Sequence, residues 1–391
     1  DLTRASQALH RALEVRSPIQ FHETTGAVFD TLAQIHLIRG EYDVSSEFLG
    51  RAGEAYGAYG RQTSRWYEWS VRVLGARLAL RRGALDEAVT LSDAILGPDA
   101  PAFDALQATL IAAEALTGSG RLVDAEARLT RAADGLDPRS APAAWGEYLR
   151  LRGALRAKAG APSDAYHDFA QSTTLLDLLG ERYQAALSHL ALGRLVAETG
   201  ARSVAERHLD KAFSVFEQLG AERDLADTRA ARDLLGKPGS GEYLISPSDA
   251  DDAIVRRIVD AAALPDLLGR ETAAAFLEAG DGDGAAVYVA RSKARLDGTD
   301  DVRIVATAGL DDDTARALAR SAAHGIAYGH GTLVVEPLGK DPEGPRFAML
   351  ASPRPIGHPV MRRLRMIATV ARQGFLLCAA RDRSTAAASP A

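Results

Sequence analysis

An α solenoid of helical hairpins followed by an α/β domain with a central antiparallel sheet is the fold these 391 residues predict. Three observations carry the prediction. A small–Gly–small register recurs five times between residues 20 and 235. A Gly/Pro-rich stretch at 236–248 interrupts it. Beyond residue 280 the spacing of apolar residues changes from that of helices to that of short strands.

The repeat aligns without gaps over IRGEYDVSSEFL, RRGALDEAVTL, GSGRLVDAEARL, KAGAPSDAYHDF and ETGARSVAERHL. Its turn positions are Gly40, Gly83, Gly120, Gly160 and Gly200, spaced by 43, 37, 40 and 40 residues. Seven residues before each stands a small residue: Ala33, Ala76, Ala113, Gly153 and Gly193. Five after stands another: Ser45, Ala88, Ala125, Ala165 and Ala205. Nine after, Leu49, Leu129, Phe169 and Leu209 are large and apolar; Ser92 is the exception, with Leu91 beside it. A glycine ends the first helix of each hairpin where a left-handed conformation is needed. Small residues mark the close crossing of the paired helices, and the large residue fills the core between them. One hairpin cannot bury its apolar face alone, so hairpins stack.

This register resembles the tetratricopeptide repeat, in its longer variant of about forty residues. The resemblance covers roughly 20–235 and implies a protein partner held through the helical repeats. The family's Trp near the repeat start and Pro at its end are not regular here. The concave face, built from first helices such as 66–82, 143–159 and 182–199, is the expected contact surface, with Trp66, Tyr67, Trp69 and Tyr148 as aromatic anchors. Solenoid core is the competing assignment for each.

The repeat domain is expected over 1–235 and a linker over 236–249, where GKPGSGEYLISPS cannot continue a helix. Ser248 and Asp251 resemble a capping box opening a helix over about 250–279. Strands are expected at 285–290 and 302–308, a helix at 311–325, strands at 332–337 and 346–351, and a long helix from 358 to about 382. Residues 383–391 read as a tail.

The order helix–β–β–helix–β–β–helix over 250–382 resembles a GAF domain. The carrying stretch is LVVEPLGKDPEGPRFAMLASPRPI, similar to that family's central hairpin. The Asp-bearing helix start frequent in the family is replaced by Gly357-His358-Pro359. The resemblance implies a sheet that cups a small molecule or forms a dimer. Tyr288, Arg303, Tyr328, Glu336, Arg346 and Ser352 are the residues that can face such a pocket; a solvated sheet surface is the alternative. Val360, Leu364, Ile367, Ala371, Phe375 and Cys378 follow a near a/d rhythm. That stripe suits either a homodimer through the C-terminal helix or a helix lying on its own sheet.

No catalytic signature occurs: no phosphate-binding G-x-x-x-x-G-K-[ST], no G-x-S-x-G, no H-E-x-x-H. DGDG at 281–284 lacks the later ligands of a calcium loop and reads as a tight turn. His324 and His330 flank a glycine-rich loop without an evident third metal ligand. The single cysteine, Cys378, excludes an internal disulfide and a Cys-rich zinc site, and its apolar neighbours point to burial. It stands at the wrong place for the family's chromophore-binding cysteine, and no cofactor is named by the sequence. Net charge of −6 argues against a nucleic-acid-coating surface. Arg81, Arg82, Arg150, Arg152 and Arg156, interleaved with acids and without an aromatic ladder, read as solvated surface. No apolar run of eighteen residues exists, so no membrane span is expected, and a cytoplasmic location is the default. The missing Met and the STAAASPA ending suggest a segment of a longer protein.

The expected function is a non-catalytic sensory or regulatory region of a bacterial signalling protein or transcriptional regulator. The pairing resembles the sensory half of enhancer-binding AAA+ activators, although no ATPase or DNA-binding motif is present. The alternative is a stand-alone interaction scaffold whose GAF-like domain is degenerate and ligand-free.

Overall fold

The computed structural model describes residues 2–14, 22–58, 65–138, 140–198, 202–235, 247–262, 264–291, 302–323 and 331–388. Two compact units form, one of residues 1–176 and 181–244, the other of 245–391 with 177–180. Gly200, the 236–246 junction, His324, Tyr328 and His330 lie outside the described residues.

Among the described residues the first unit forms helices only: α1 (Leu2–Glu14), α2 (His22–Arg39), α3 (Tyr42–Ala58), α4 (Arg65–Arg82), α5 (Leu85–Ile95), α6 (Ala102–Gly118), α7 (Leu122–Asp134), α8 (Pro142–Lys158), α9 (Pro162–Leu179, its last three residues counted with the second unit), α10 (Arg182–Glu198), α11 (Arg202–Leu219) and α12 (Glu222–Leu235). Gly40, Gly83, Gly120 and Gly160 end the first helices of four hairpins with φ of 81°, 82°, 80° and 80°. A side chain there would put its Cβ against the following carbonyl, so the repeated glycine is a backbone requirement. The same Schellman-like closure follows each, for example Glu41 N–H to His36 O at 2.9 Å and Ala161 N–H to Arg156 O at 2.9 Å.

The small residues are where the helices cross. Ala33, Ala76 and Ala113 are fully buried, as are Ser45, Ala88, Ala125, Ala165 and Ala205. A Cβ on Gly153 would sit 2.8 Å from Phe169 Cδ1, and one on Gly193 2.8 Å from Leu209 Cδ2. Ser92 keeps the inward position although it is not large, while Leu91 beside it is 37% exposed. The Ser92 hydroxyl is buried without a hydrogen-bond partner. Ser92→Ala is therefore expected to raise stability by about 1 kcal/mol in urea unfolding, because it removes an unsatisfied polar group.

The second unit is α13 (Pro247–Ala261), α14 (Pro265–Gly280), β1 (Gly284–Ala290), β2 (Val302–Ala308), α15 (Asp312–Ala323), β3 (Thr332–Asp341), β4 (Gly344–Ser352) and α16 (His358–Ala388). The four strands are antiparallel in the order β2-β1-β4-β3. Helices α14 and α16 contact one part of the sheet, and α15 contacts β1 and β2. Ala286, Tyr288, Val302 and Met349 cluster with Ala315, Leu318 and Ala319 of α15. On the other face a Cβ at Gly269 of α14 would meet Val305 at 2.9 Å.

Three sequence expectations are corrected. The helix expected over 250–279 is two helices, because Pro265 opens α14 and holds Leu264 extended at φ −130°, ψ 110°. It begins at Pro247, so Ser248 lies inside the first turn instead of before it. Strand β3 does not stop at Pro337 but runs to Asp341 through a register shift between Pro337 and Gly339. Pro337 is tolerated because β3 is an edge strand, where the missing N–H breaks no ladder bond.

Candidate functional site

In the helical unit, the first helices of successive hairpins (α2, α4, α6, α8 and α10) line a cavity of about 410 Å³. The chain also returns on itself here: Ile38 of α2 packs on the α10–α12 core, and Arg81 of α4 reaches Asp224 of α12 at 2.7 Å. Part of the wall is aliphatic, from Leu37, Ile38, Val73, Leu80 and Leu187, with Phe103 at 67% exposure.

The rest is a charged network. Arg77 donates to Gln107 Oε1 at 2.5 Å and to Glu147 Oε1 at 3.5 Å. Arg150, nine-tenths buried, forks onto Glu114 at 3.3 and 3.4 Å and lies 3.9 Å from Glu147. Asp224 accepts from both Arg81 and the Tyr183 hydroxyl, the latter at 2.9 Å. Burial opposes the charge on Glu114, but Arg150 beside it holds the carboxyl below its usual range. Burial pushes the Tyr183 phenol well above the usual tyrosine value. Burial likewise raises Asp104. Three polar atoms in the wall stay buried and unmatched: Nε of Arg81, Nε of Arg150 and Oε1 of Gln184.

This overturns the expectation that the arginines are solvated surface. Arg81 and Arg150 point inward, and Arg152 and Arg156 both bond Asp168, which is fully buried, at 2.6 and 2.7 Å. Only Arg82, on Asp43 at 2.8 Å, keeps a largely exposed pair. Acids brought close by folding, Asp224 being 143 residues from Arg81, provide the pairing that a linear reading does not display.

Among the expected anchors, Trp66 and Tyr67 belong to α4, with side chains outside the described residues. Trp69 packs on the core shared by α4, α5 and α6, with the Arg72 guanidinium 4.9 Å from its ring. Tyr148 is 4% exposed, stacked on Trp145 at 4.9 Å and bonded through its hydroxyl by Arg152. It is a core residue. The sequence reading missed Arg77, Gln107, Glu114, Glu147, Tyr183 and Gln184. A signal existed: Ser70, Gln107, Glu147 and Leu187 each stand thirteen residues before a turn glycine, and Gln34, Arg77 and Glu114 six before. Those offsets are the inner stripe of the first helices.

Among the described candidates of the second unit, Arg303 and Arg346 meet at Asp341, and Tyr288, Glu336 and Ser352 have other partners. Tyr288 is 1% exposed and stacked on Phe347 at 5.4 Å, on the α15 side. Burial pushes its phenol up to about 12. A raised folded-state value means stability is retained below the unfolded tyrosine value near 10 and lost as pH rises from there through about 12. Absorbance at 295 nm is expected to show Tyr183 and Tyr288 both ionising late, with one tyrosine fewer in that late phase in Tyr288→Phe. Arg303 pairs with Asp341 at 3.2 Å and Glu343 at 3.1 Å. Arg346 also bonds Asp341 and lies 4.0 Å from the Phe375 ring centroid. Glu336 pairs with Arg365 at 3.2 Å, and the Ser352 hydroxyl is buried, donating to Arg354 O at 3.0 Å. Tyr328 lies outside the described residues.

The stripe on α16 is filled within its unit: Leu364, Ile367, Ala371, Phe375 and Cys378 are buried, and α16 contacts α13, α14 and β3. Cys378 donates to Ala262 O at 3.0 Å. Leu376 and Leu377 remain exposed at 52% and 64%. The DGDG stretch is a turn, with Asp281 at φ 46° and Asp283 N–H bonding Ala351 O at 2.9 Å. Among the described residues no three His, Cys, Asp or Glu side chains come together as a metal site. No described helix is long and apolar enough to cross a membrane. Comparison with known proteins finds no matching family model and no matching curated sequence.

Proposed function

We propose that this chain is a non-catalytic regulatory region: a tetratricopeptide-like solenoid that engages a protein partner, joined to a GAF-like domain for sensing or dimerisation. The carrying observation is the hairpin geometry repeated at Gly40, Gly83, Gly120 and Gly160, which is the physics of a repeat array and not of a catalytic scaffold. A cavity of about 410 Å³ is too small for a helix about 10 Å across with its side chains, so a folded partner engages the outer surfaces of the hairpins. Val123, 82% exposed on α7, is the most exposed large apolar side chain among the described residues. A homodimer through α16 would use Leu376 and Leu377, because the buried stripe is already occupied. A bacterial, cytoplasmic signalling setting belongs to the same proposal.

One observation favours the alternative scaffold reading. Arg303 and Arg346 are tied to Asp341 and Tyr288 is packed under α15, so these candidate pocket groups are largely engaged within the chain, although Nε of Arg346 has no hydrogen-bond partner. The test is affinity capture on the immobilised chain, compared with Val123→Asp and with Leu376→Asp/Leu377→Asp. A partner retained by the parent chain and lost with Val123→Asp supports the interaction role. Capture indifferent to these outward changes, or none at all, removes it. Sedimentation of the α16 variant decides the dimer.

A further inference from the structure

We infer that the cavity inside the helical unit is a binding site for a small zwitterion, an aliphatic dipeptide with both termini free. This goes beyond the regulatory reading, because it assigns ligand recognition to the helical half and not to the sheet.

The volume comes first. About 410 Å³ lies within the range of pockets that enclose small molecules. It holds a ligand of dipeptide size and excludes a folded domain. The charge pattern comes second. Arg77, Arg81 and Arg150 share the wall with Asp104, Glu114, Glu147 and Glu181. A simple anion entering there meets four carboxylates, and a simple cation meets three guanidiniums. A molecule carrying both charges at a short fixed separation meets each in turn.

The unmatched groups come third, and they point to a ligand. Nε of Arg81 and Nε of Arg150 are donors with no acceptor, and Oε1 of Gln184 is an acceptor with no donor. Arg150 is 8% exposed, so water relieves it poorly. A terminal carboxylate supplies the acceptors that the arginines lack once the guanidiniums turn, since both Nε atoms are enclosed as they stand. The peptide N–H or terminal ammonium supplies the donor that Gln184 lacks. Asp104, whose carboxyl is raised by burial and which no cation pairs with among the described residues, gains from the ammonium. The long contacts of Arg150 on Glu114, 3.3 and 3.4 Å, are looser than a settled guanidinium–carboxylate fork and leave room for a second acceptor. The aliphatic wall of Leu37, Ile38, Val73 and Leu187 then takes branched side chains, and Phe103 stands exposed beside it.

The experiment is calorimetric titration and thermal shift of the full chain with L-leucyl-L-leucine. N-acetyl-leucinamide, octanoate and octylamine serve as neutral, anionic and cationic controls. Saturable binding of the dipeptide is expected, with each control at least about tenfold weaker, the loss expected when a charged contact is removed. Arg150→Lys keeps the charge and removes Nε; it is expected to weaken the dipeptide about tenfold. Gln184→Met does so without touching the ion network, and circular dichroism melts confirm that both variants fold. No saturable response overturns the proposal, and so does equal binding of octanoate or octylamine. Undiminished binding in both variants overturns the location. None of these results bears on partner capture, which is read from outward-facing variants.

Discussion

Replacing Gly153 with valine is expected to destabilise the helical unit by about 3 kcal/mol, lowering its melting temperature by roughly 9 °C. The cause is a close approach. The new Cβ would lie 2.8 and 2.9 Å from the Phe169 ring and 3.2 Å from the Ala165 carbonyl oxygen. The ring is 3% exposed and enclosed, and the carbonyl belongs to α9 backbone, so neither yields cheaply. The branched side chain then forces α8 and α9 apart along their whole contact, which includes the buried Ser172 hydroxyl donating to Gly146 O at 2.6 Å. The opposite sign is expected at Gly50 on α3, where nothing lies within 4 Å. Gly50→Ala gains about 1 kcal/mol from helix propensity alone. Urea unfolding of the two variants checks both. Equal destabilisation would mean that the small-residue register has no packing role.

The second large effect belongs to the sheet-containing unit. Arg257 is 1% exposed, bonds Glu271 at 2.9 Å and pairs with Glu278 at 3.0 Å, and Glu271 is fully buried. Arg257→Met leaves a buried carboxylate without this cation and is expected to cost about 4 kcal/mol. Arg257→Met with Glu271→Met removes the fully buried pair and is expected to recover about half of that loss, since Glu278, 12% exposed, still lacks this cation. Denaturant midpoints with unchanged slopes are the readout. A double variant as unstable as the single one would show that the pair does more than neutralise itself.

What the sequence displays, and what it conceals, follows from the range of each interaction. The turn glycines, the crossing residues and the strands at 284–290 and 302–308 are set by local geometry, and local geometry leaves a pattern in the chain. Ser92 is instructive: the register was right although the residue type broke it, because position relative to Gly83 outweighs the side chain. Pro265 was equally local, and its power to divide the 250–279 helix was there to be read. The inward arginines were not readable in the same way. Arg81 is an exposed-looking residue until Asp224 and Tyr183 arrive beside it from far along the chain. The pocket candidates Tyr288, Arg303 and Arg346 share a sheet, but alternation sends Tyr288 under α15 while ion pairing ties both arginines to Asp341. For the cavity, the recurring offsets before the turn glycines were the available clue.

Two units each hold their own core, one of helix hairpins and one built on four antiparallel strands. Producing residues 1–244 and 245–391 as separate chains and following each by circular dichroism on heating tests this most directly. A strongly helical spectrum with a cooperative melt is expected for the first, and a mixed helix–strand spectrum with its own cooperative melt for the second. A non-cooperative or unfolded trace from either chain, recovered only on mixing them, would contradict it.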